Sequence, residues 1–165
     1  MSRVETSDSA TTHAAAIVDD VEDPELPHVT IGELGMVRAV EVEGATARVT
    51  LTPTYTGCPA TEQIRDDVAS ALEAEGFTAE IRFVMSPAWT TDWITPDGRD
   101  KLRAAGIAPP HAAGPGHETR LDLPVACPRC SSRRTRRLGD FGSTACKASF
   151  VCDACLEPFE HFKTL

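Results

Sequence analysis

Apolar residues recur at i, i+3, i+4 and i+7 through Ala14, Ile17, Val18 and Val21, which predicts a short helix over Thr11 to Val21, with Pro24 as its stop. The DPELPHVTIGELG stretch, punctuated by Pro24, Pro27, Gly32 and Gly35, reads as loop. Met36 to Glu43 and Thr46 to Thr52 are β-branched-rich runs flanking Gly44, and the second alternates through Ala47, Val49 and Leu51, as strands of a hairpin do. The strongest helical pattern follows in TYTGCPATEQIRDDVASALEAEGF. There Pro59 suits the first helical position, Cys58 becomes the N-cap, Ile64, Val68, Ala71 and Leu72 form one stripe, and Gly76 ends the element. Ala79 to Met85 supplies a third strand. A strand-helix-strand step crosses over right-handed, so strands two and three should run parallel. The expected fold class is α+β: a small two-layer domain of helices on one face of a mixed sheet, followed by a zinc ribbon.

Beyond the third strand the pattern weakens. Trp89 and Trp93 read either as core packing or a cover over the sheet, or as a patch facing a partner. Asp97 to Ala105 predicts a short helix, and APPHAAGPGHE has the Pro/Gly/Ala composition of a semi-rigid linker. The organisation expected is a disordered tail over 1–10, an α/β domain over 11–107, a linker over 108–120 and a ribbon over 121–165.

Charge marks the same division. Residues 1–123 hold 9 Lys+Arg and 21 Asp+Glu, whereas residues 124–165 hold 7 and 4, together giving the net −9 of the chain. Phosphate binding depends on Lys and Arg displacing counterions, so only the C-terminal part could serve nucleic acid. No apolar run approaches the roughly 20 residues of a membrane span, and MSRVETSDSATTH has neither a basic start nor an apolar signal segment, which points to a cytoplasmic protein without membrane contact.

Five of the six cysteines lie in the last part of the chain. Cys127 and Cys130, then Cys152 and Cys155, form two CxxC pairs with 21 residues between them, close to the spacing of a structural zinc site. Four thiolates close the tetrahedron and leave no position for substrate, so the expected cofactor is a structural zinc, with iron in the same sulfurs or disulfides as the alternatives. Arg133, Arg134, Arg136 and Arg137 beside the first knuckle can offset the local −2 charge, meet a partner, or contact nucleic acid. Cys146 falls outside the quartet and reads as a small core residue, a spare ligand or an exposed thiol.

Cys58 at a helix start would lie near unpaired amides and the positive end of the helix dipole, which favour a thiolate. It could be a soft-metal ligand, a nucleophile served by His28 of the preceding loop, or a buried residue without chemistry.

The segments DPEL (Asp23 to Leu26), IGELGMV (Ile31 to Val37) and TYTGCP (Thr54 to Pro59) resemble the MIP-eighteen-type family, related to SufT and associated with iron-sulfur protein maturation. WTTDWI, GRDKLRAAGIAPP, FGSTACKA and EPFEHFK extend the likeness, in collinear order over about residues 14–163, to the PaaD family of accessory subunits of phenylacetyl-CoA epoxidase. The resemblance implies a non-catalytic accessory role in phenylacetate degradation, supplying or maturing iron-sulfur or diiron centres. It implies epoxidase, reductase or iron-sulfur assembly proteins as partners, and a site lined by Asp23, Glu25, Thr54 and Cys58. A cluster usually takes four ligands, and the first domain has one cysteine, so iron or a cluster there would be transient or shared, with another chain, with Cys146, or with carboxylate and exogenous thiol ligands. The other readings are a structural or electron-transfer subunit docked in the oxygenase, and a nucleic-acid-binding ribbon. The oligomeric state stays open.

Overall fold

The computed structural model describes residues 4–111 and 124–164. Its residues fall into two compact units divided between Trp89 and Thr90.

In the first unit, α1 (Val4–Asp19) precedes a hairpin of β1 (Val37–Glu43) and β2 (Thr46–Leu51), then α2 (Ala60–Ala74) and β3 (Thr78–Phe83). The sheet order is β1-β2-β3, with β1 antiparallel and β3 parallel to β2, so the expected crossover is present. A two-residue turn joins the hairpin, and Gly44 takes the left-handed conformation it requires, with φ 62°.

Ala47, Val49 and Leu51 of central strand β2, Ala14 and Val18 of α1, and Ile64, Val68 and Leu72 of α2 are all buried and form the apolar interior. Each large side chain there contributes about 1.5–3 kcal/mol relative to exposure. On the other face, exposed Arg48 bridges Glu43 at 2.8 Å and Glu80 at 3.0 Å, and Arg82 donates to the hydroxyl of buried Thr50. Alternation in β2 thus turns Ala47, Val49 and Leu51 to the apolar side and Arg48 to the polar one.

Two local expectations shift. The described part of the 1–10 tail, from Val4, is helical. Its turns have no apolar stripe, so periodicity could not reveal them. Helix α1 also ends at Asp19, ahead of Pro24. Between α1 and β1, the loop is held by a reciprocal capping box: the Thr30 amide donates to Glu33 and the Glu33 amide to the Thr30 hydroxyl, at 2.9 and 3.1 Å. Trp89 is buried and its indole N–H donates to the Leu34 carbonyl at 2.8 Å, the core reading of that residue.

In the second unit, a 3₁₀ turn (Thr91–Trp93) leads to α3 (Pro96–Ala104), capped by the Thr95 hydroxyl on the Gly98 amide. A sheet of order β4-β7-β6-β5 follows, built from β4 (Ile107–Ala108), β5 (Thr135–Gly139), β6 (Lys147–Cys152) and β7 (Pro158–Phe162). Strand β4 pairs parallel with β7, so Ile107 and Ala108 belong to the sheet of the ribbon. The division between units falls ahead of the 108–120 segment that composition marked as a linker. Residues 112–120 of it, and 121–123 of the expected ribbon, lie outside the described residues.

A small core of Ala108, Val125, Ala148, Phe150 and Phe159, together with Cys127 and Cys152, fills this unit. His161 is buried in it, with Nδ1 3.1 Å from the Ala108 carbonyl and an edge-to-face contact to Phe150. Burial pushes its pKa down to about 4, the Ala108 carbonyl opposing and the nearby His111 and Arg137 adding to the fall.

Candidate metal centre and the Cys58 site

Two knuckles position four sulfurs. Cys127 precedes a turn in which the Ser131 amide donates to the Cys127 carbonyl and the Cys127 amide to the Ser132 carbonyl, both at 2.9 Å. Cys152 ends β6 and opens the matching turn: the Leu156 amide donates to its carbonyl, and its own amide donates to Glu157. Ser131 and Leu156 occupy corresponding positions with φ 61° and 65°.

The Sγ atoms of Cys127, Cys130, Cys152 and Cys155 all lie within 4.8 Å of one another, and no other such group of His, Cys, Asp or Glu occurs among the described residues. Sγ separations are 3.8 Å for Cys127 to Cys155 and 3.5 Å for Cys130 to Cys152. A tetrahedron with metal–sulfur bonds of about 2.3 Å has edges of about 3.8 Å, whereas a disulfide needs about 2.05 Å. The donor set therefore fits a four-coordinate thiophilic ion, and the cysteines are free of disulfides.

The sulfurs are electrostatically unequal. The amides of Cys155 and Ala154 face Cys152 and hold its thiol down to about 6. At Cys155 the Glu157 amide acts in the same sense, but desolvation and the neighbouring sulfurs outweigh it and push that thiol up to about 12. Four thiolates at this spacing repel one another, and a bound cation is what makes the fully ionised quartet favourable. Cys127 and Cys152 are buried, Cys130 and Cys155 exposed. Cys146 lies outside the quartet: it is buried, with its sulfur 3.1 Å from the Thr144 hydroxyl.

Of the arginines beside the first knuckle, Arg136 pairs with Asp153 and Arg137 with Asp140, and Arg129 approaches Glu157. Carboxylates of the second unit are thus the partners of these three, and none is paired with Arg133 or Arg134 among the described residues.

The first unit gathers a different site. Helix α2 begins at Ala60 with Pro59 at the cap position, φ −66° and ψ −22°, and no side chain caps it. Cys58 therefore precedes the cap by one residue instead of occupying it, because the proline ring already carries helical dihedrals. The TYTGCP loop is closed by the Cys58 amide donating to the Tyr55 carbonyl at 3.2 Å, with Gly57 at φ 80°.

Cys58 is half-buried, and its thiol donates to Glu25 Oε2 at 3.9 Å. Asp23 is buried in the facing loop, where its carboxylate accepts the Glu25 amide at 2.8 Å and its own amide donates to Val29. Asp23 thus shapes the loop that presents Glu25. Thr54 is half-buried in the loop before Cys58.

His28 lies 3.9 Å from Glu22 with 86% of its side chain exposed, and it stands at φ 62°. The group it approaches is a surface carboxylate. Sequence reasoning missed Thr61, whose hydroxyl donates to the Cys58 carbonyl at 2.7 Å. A threonine three residues after a loop end, able to grip that carbonyl, was the available signal.

Against known families, residues 15–81 match the iron-sulfur cluster assembly protein family, and residues 112–163 match the PaaD zinc beta ribbon domain. The chain is 47% identical over 153 residues to a protein of Escherichia coli (strain K12) provisionally named as a subunit of 1,2-phenylacetyl-CoA epoxidase, covering 91% of this chain and 90% of that protein. It is 38% identical over 78 residues to the Fe-S protein maturation auxiliary factor YitW of Bacillus subtilis (strain 168), covering 46% of this chain and 76% of that one. A crystal structure of a DUF59 domain of unknown function from Bacillus anthracis superposes with a TM-score of 0.56 at 28% identity, covering 61% of this chain and 97% of that one.

Proposed function

Since the chain belongs to the PaaD family of phenylacetyl-CoA epoxidase subunits, we propose that it is a non-catalytic accessory protein of that system, assisting maturation of iron-sulfur or iron centres through Cys58. The observation that carries this reading is the pairing of the Cys58 thiol with the Glu25 carboxylate, 3.9 Å apart, on a loop shaped by Asp23. One soft and one hard ligand span a distance a single metal ion could bridge, and they do not complete a coordination shell. A site that must pass its cargo on gains from incomplete ligation, with the remaining ligands coming from the client or an exogenous thiol.

The ribbon then has a different task. Its four sulfurs hold a structural zinc that stabilises the second unit and offers no open position for chemistry. A cytoplasmic location follows from this role, because a quartet of thiolates holds zinc only where the thiols stay reduced. Clients would be the epoxidase and reductase subunits or iron-sulfur assembly proteins.

Metal analysis of anaerobically purified protein tests the assignment. About one equivalent of zinc plus iron that disappears in Cys58→Ser supports it. Zinc alone, together with fully loaded epoxidase and reductase in cells carrying Cys58→Ser, refutes it. The relative's name favours a second reading, a structural or electron-transfer subunit docked within the oxygenase. Stoichiometric co-purification with the hydroxylase, independent of Cys58, would select it.

A further inference from the structure

Strand β5 forms one edge of the second unit's sheet, and among the described residues no strand pairs with its outer side. Open edges are templates for another chain unless the sequence blocks them. Here the edge carries both charge and apolar surface. Arg134, Arg136 and Leu138 alternate outward and are exposed, Leu138 at 56%. Phe141 follows directly, 67% exposed.

This phenylalanine is held in place. Its carbonyl accepts the Ser149 hydroxyl, the Gly142 amide donates to Lys147 at 2.7 Å, and the Lys163 ammonium lies 4.2 Å above its ring. Beneath the loop, Glu160 grips both the amide and the hydroxyl of Ser143 and pairs with the buried Lys147. An exposed aromatic whose loop is already ordered loses little entropy on binding.

The charges are equally selective. Arg129, Arg136 and Arg137 have carboxylates of their own, whereas exposed Arg133 and Arg134 have none among the described residues. A second copy pairing antiparallel through the same edge would set these arginine runs against each other, which the repulsion opposes.

We propose that the outer edge of β5 receives an extended acidic segment of a partner protein as an added strand. Carboxylates of the segment meet Arg133 and Arg134, backbone groups pair along Thr135–Gly139, and an apolar side chain covers Leu138 and Phe141. This inference stands apart from the Cys58 reading, because no residue of that site takes part.

The test uses the full chain loaded with zinc and, as probe, a blocked synthetic heptapeptide with glutamates in one half and valines in the other. The expected result is slowed amide exchange at Thr135–Gly139 and binding that weakens by about tenfold or more in the Arg133→Glu/Arg134→Glu double variant and again in Leu138→Asp. Metal content checks that these surface variants remain folded. A peptide N-methylated at alternate residues, which cannot donate along one edge, should fail to bind. No binding at millimolar peptide, equal binding by the N-methylated peptide or the charge-reversed variant, or protection confined to β1 or β3 would overturn the proposal. So would a preference for a single-stranded oligonucleotide of equal charge at the same arginines.

Discussion

In the first unit sulfur is peripheral to stability: Cys58 stands half-buried at a loop end, while Ile64, Val68 and Leu72 of α2 and Val49 and Leu51 of β2 fill the interior. In the second unit two sulfurs are part of the core itself, Cys127 and Cys152 lying among Val125, Ala148, Phe150 and Phe159. The contrast shows what a cysteine's surroundings say about its task. A quartet spaced for one ion ties the two knuckles of the second unit together beside its small core. A single half-buried thiol facing a carboxylate lies outside the apolar interior that holds its unit together.

The largest test removes the ion. Chelation, or Cys152→Ser, should withdraw stabilisation on the order of 10 kcal/mol from the second unit. Amide exchange would then show the 124–164 region opening while β1 to β3 keep their protection, and simultaneous loss of both regions would break the comparison. Next in size, Leu72→Ala should cost the first unit about 2–5 kcal/mol in denaturant titration, with zinc stoichiometry unchanged.

A third test exploits His161. Its folded pKa of about 4 lies below the ordinary 6.5, so the fold favours the neutral ring, and below pH 6.5 the unfolded chain takes up the proton first. Stability of the second unit should therefore fall between about pH 6.5 and 4, by about 3 kcal/mol in total from this group, and stay flat from it above pH 6.5. Stability measured against pH in His161→Gln should lose that component. The smallest effect is the sharpest for function: Cys58→Ser should shift the unfolding free energy by less than about 1 kcal/mol while abolishing any iron that copurifies.

Legibility of the chain follows the strength of each physical signal. The hairpin, α2 and β3 are readable because one buried face imposes a period of 2 or 3.6 on the residues. Strand β4 is not, since two residues, Ile107 and Ala108, carry no period and sit beside a proline pair that imitates a linker. The first turns of α1 are hidden for the same reason.

The quartet can be read from spacing alone, because a CxxC turn fixes its two sulfurs locally. Glu25 beside Cys58 cannot, because the two residues are 33 apart and only the folded loops bring them together. The resemblance to a known family names that pair, and no periodicity would. Cys58 itself lies one position earlier than its pattern predicts, since a proline with helical dihedrals can stand either at the cap or just inside the helix.

Strand β4 also changes what can be cut and exchanged. A C-terminal cassette transplanted from residue 112 onward would arrive without Ile107 and Ala108, leaving Glu160 and His161 of β7 bare where a neighbour should lie. A transplant that keeps the whole second unit takes the chain from Thr90, well ahead of the metal-bearing knuckles.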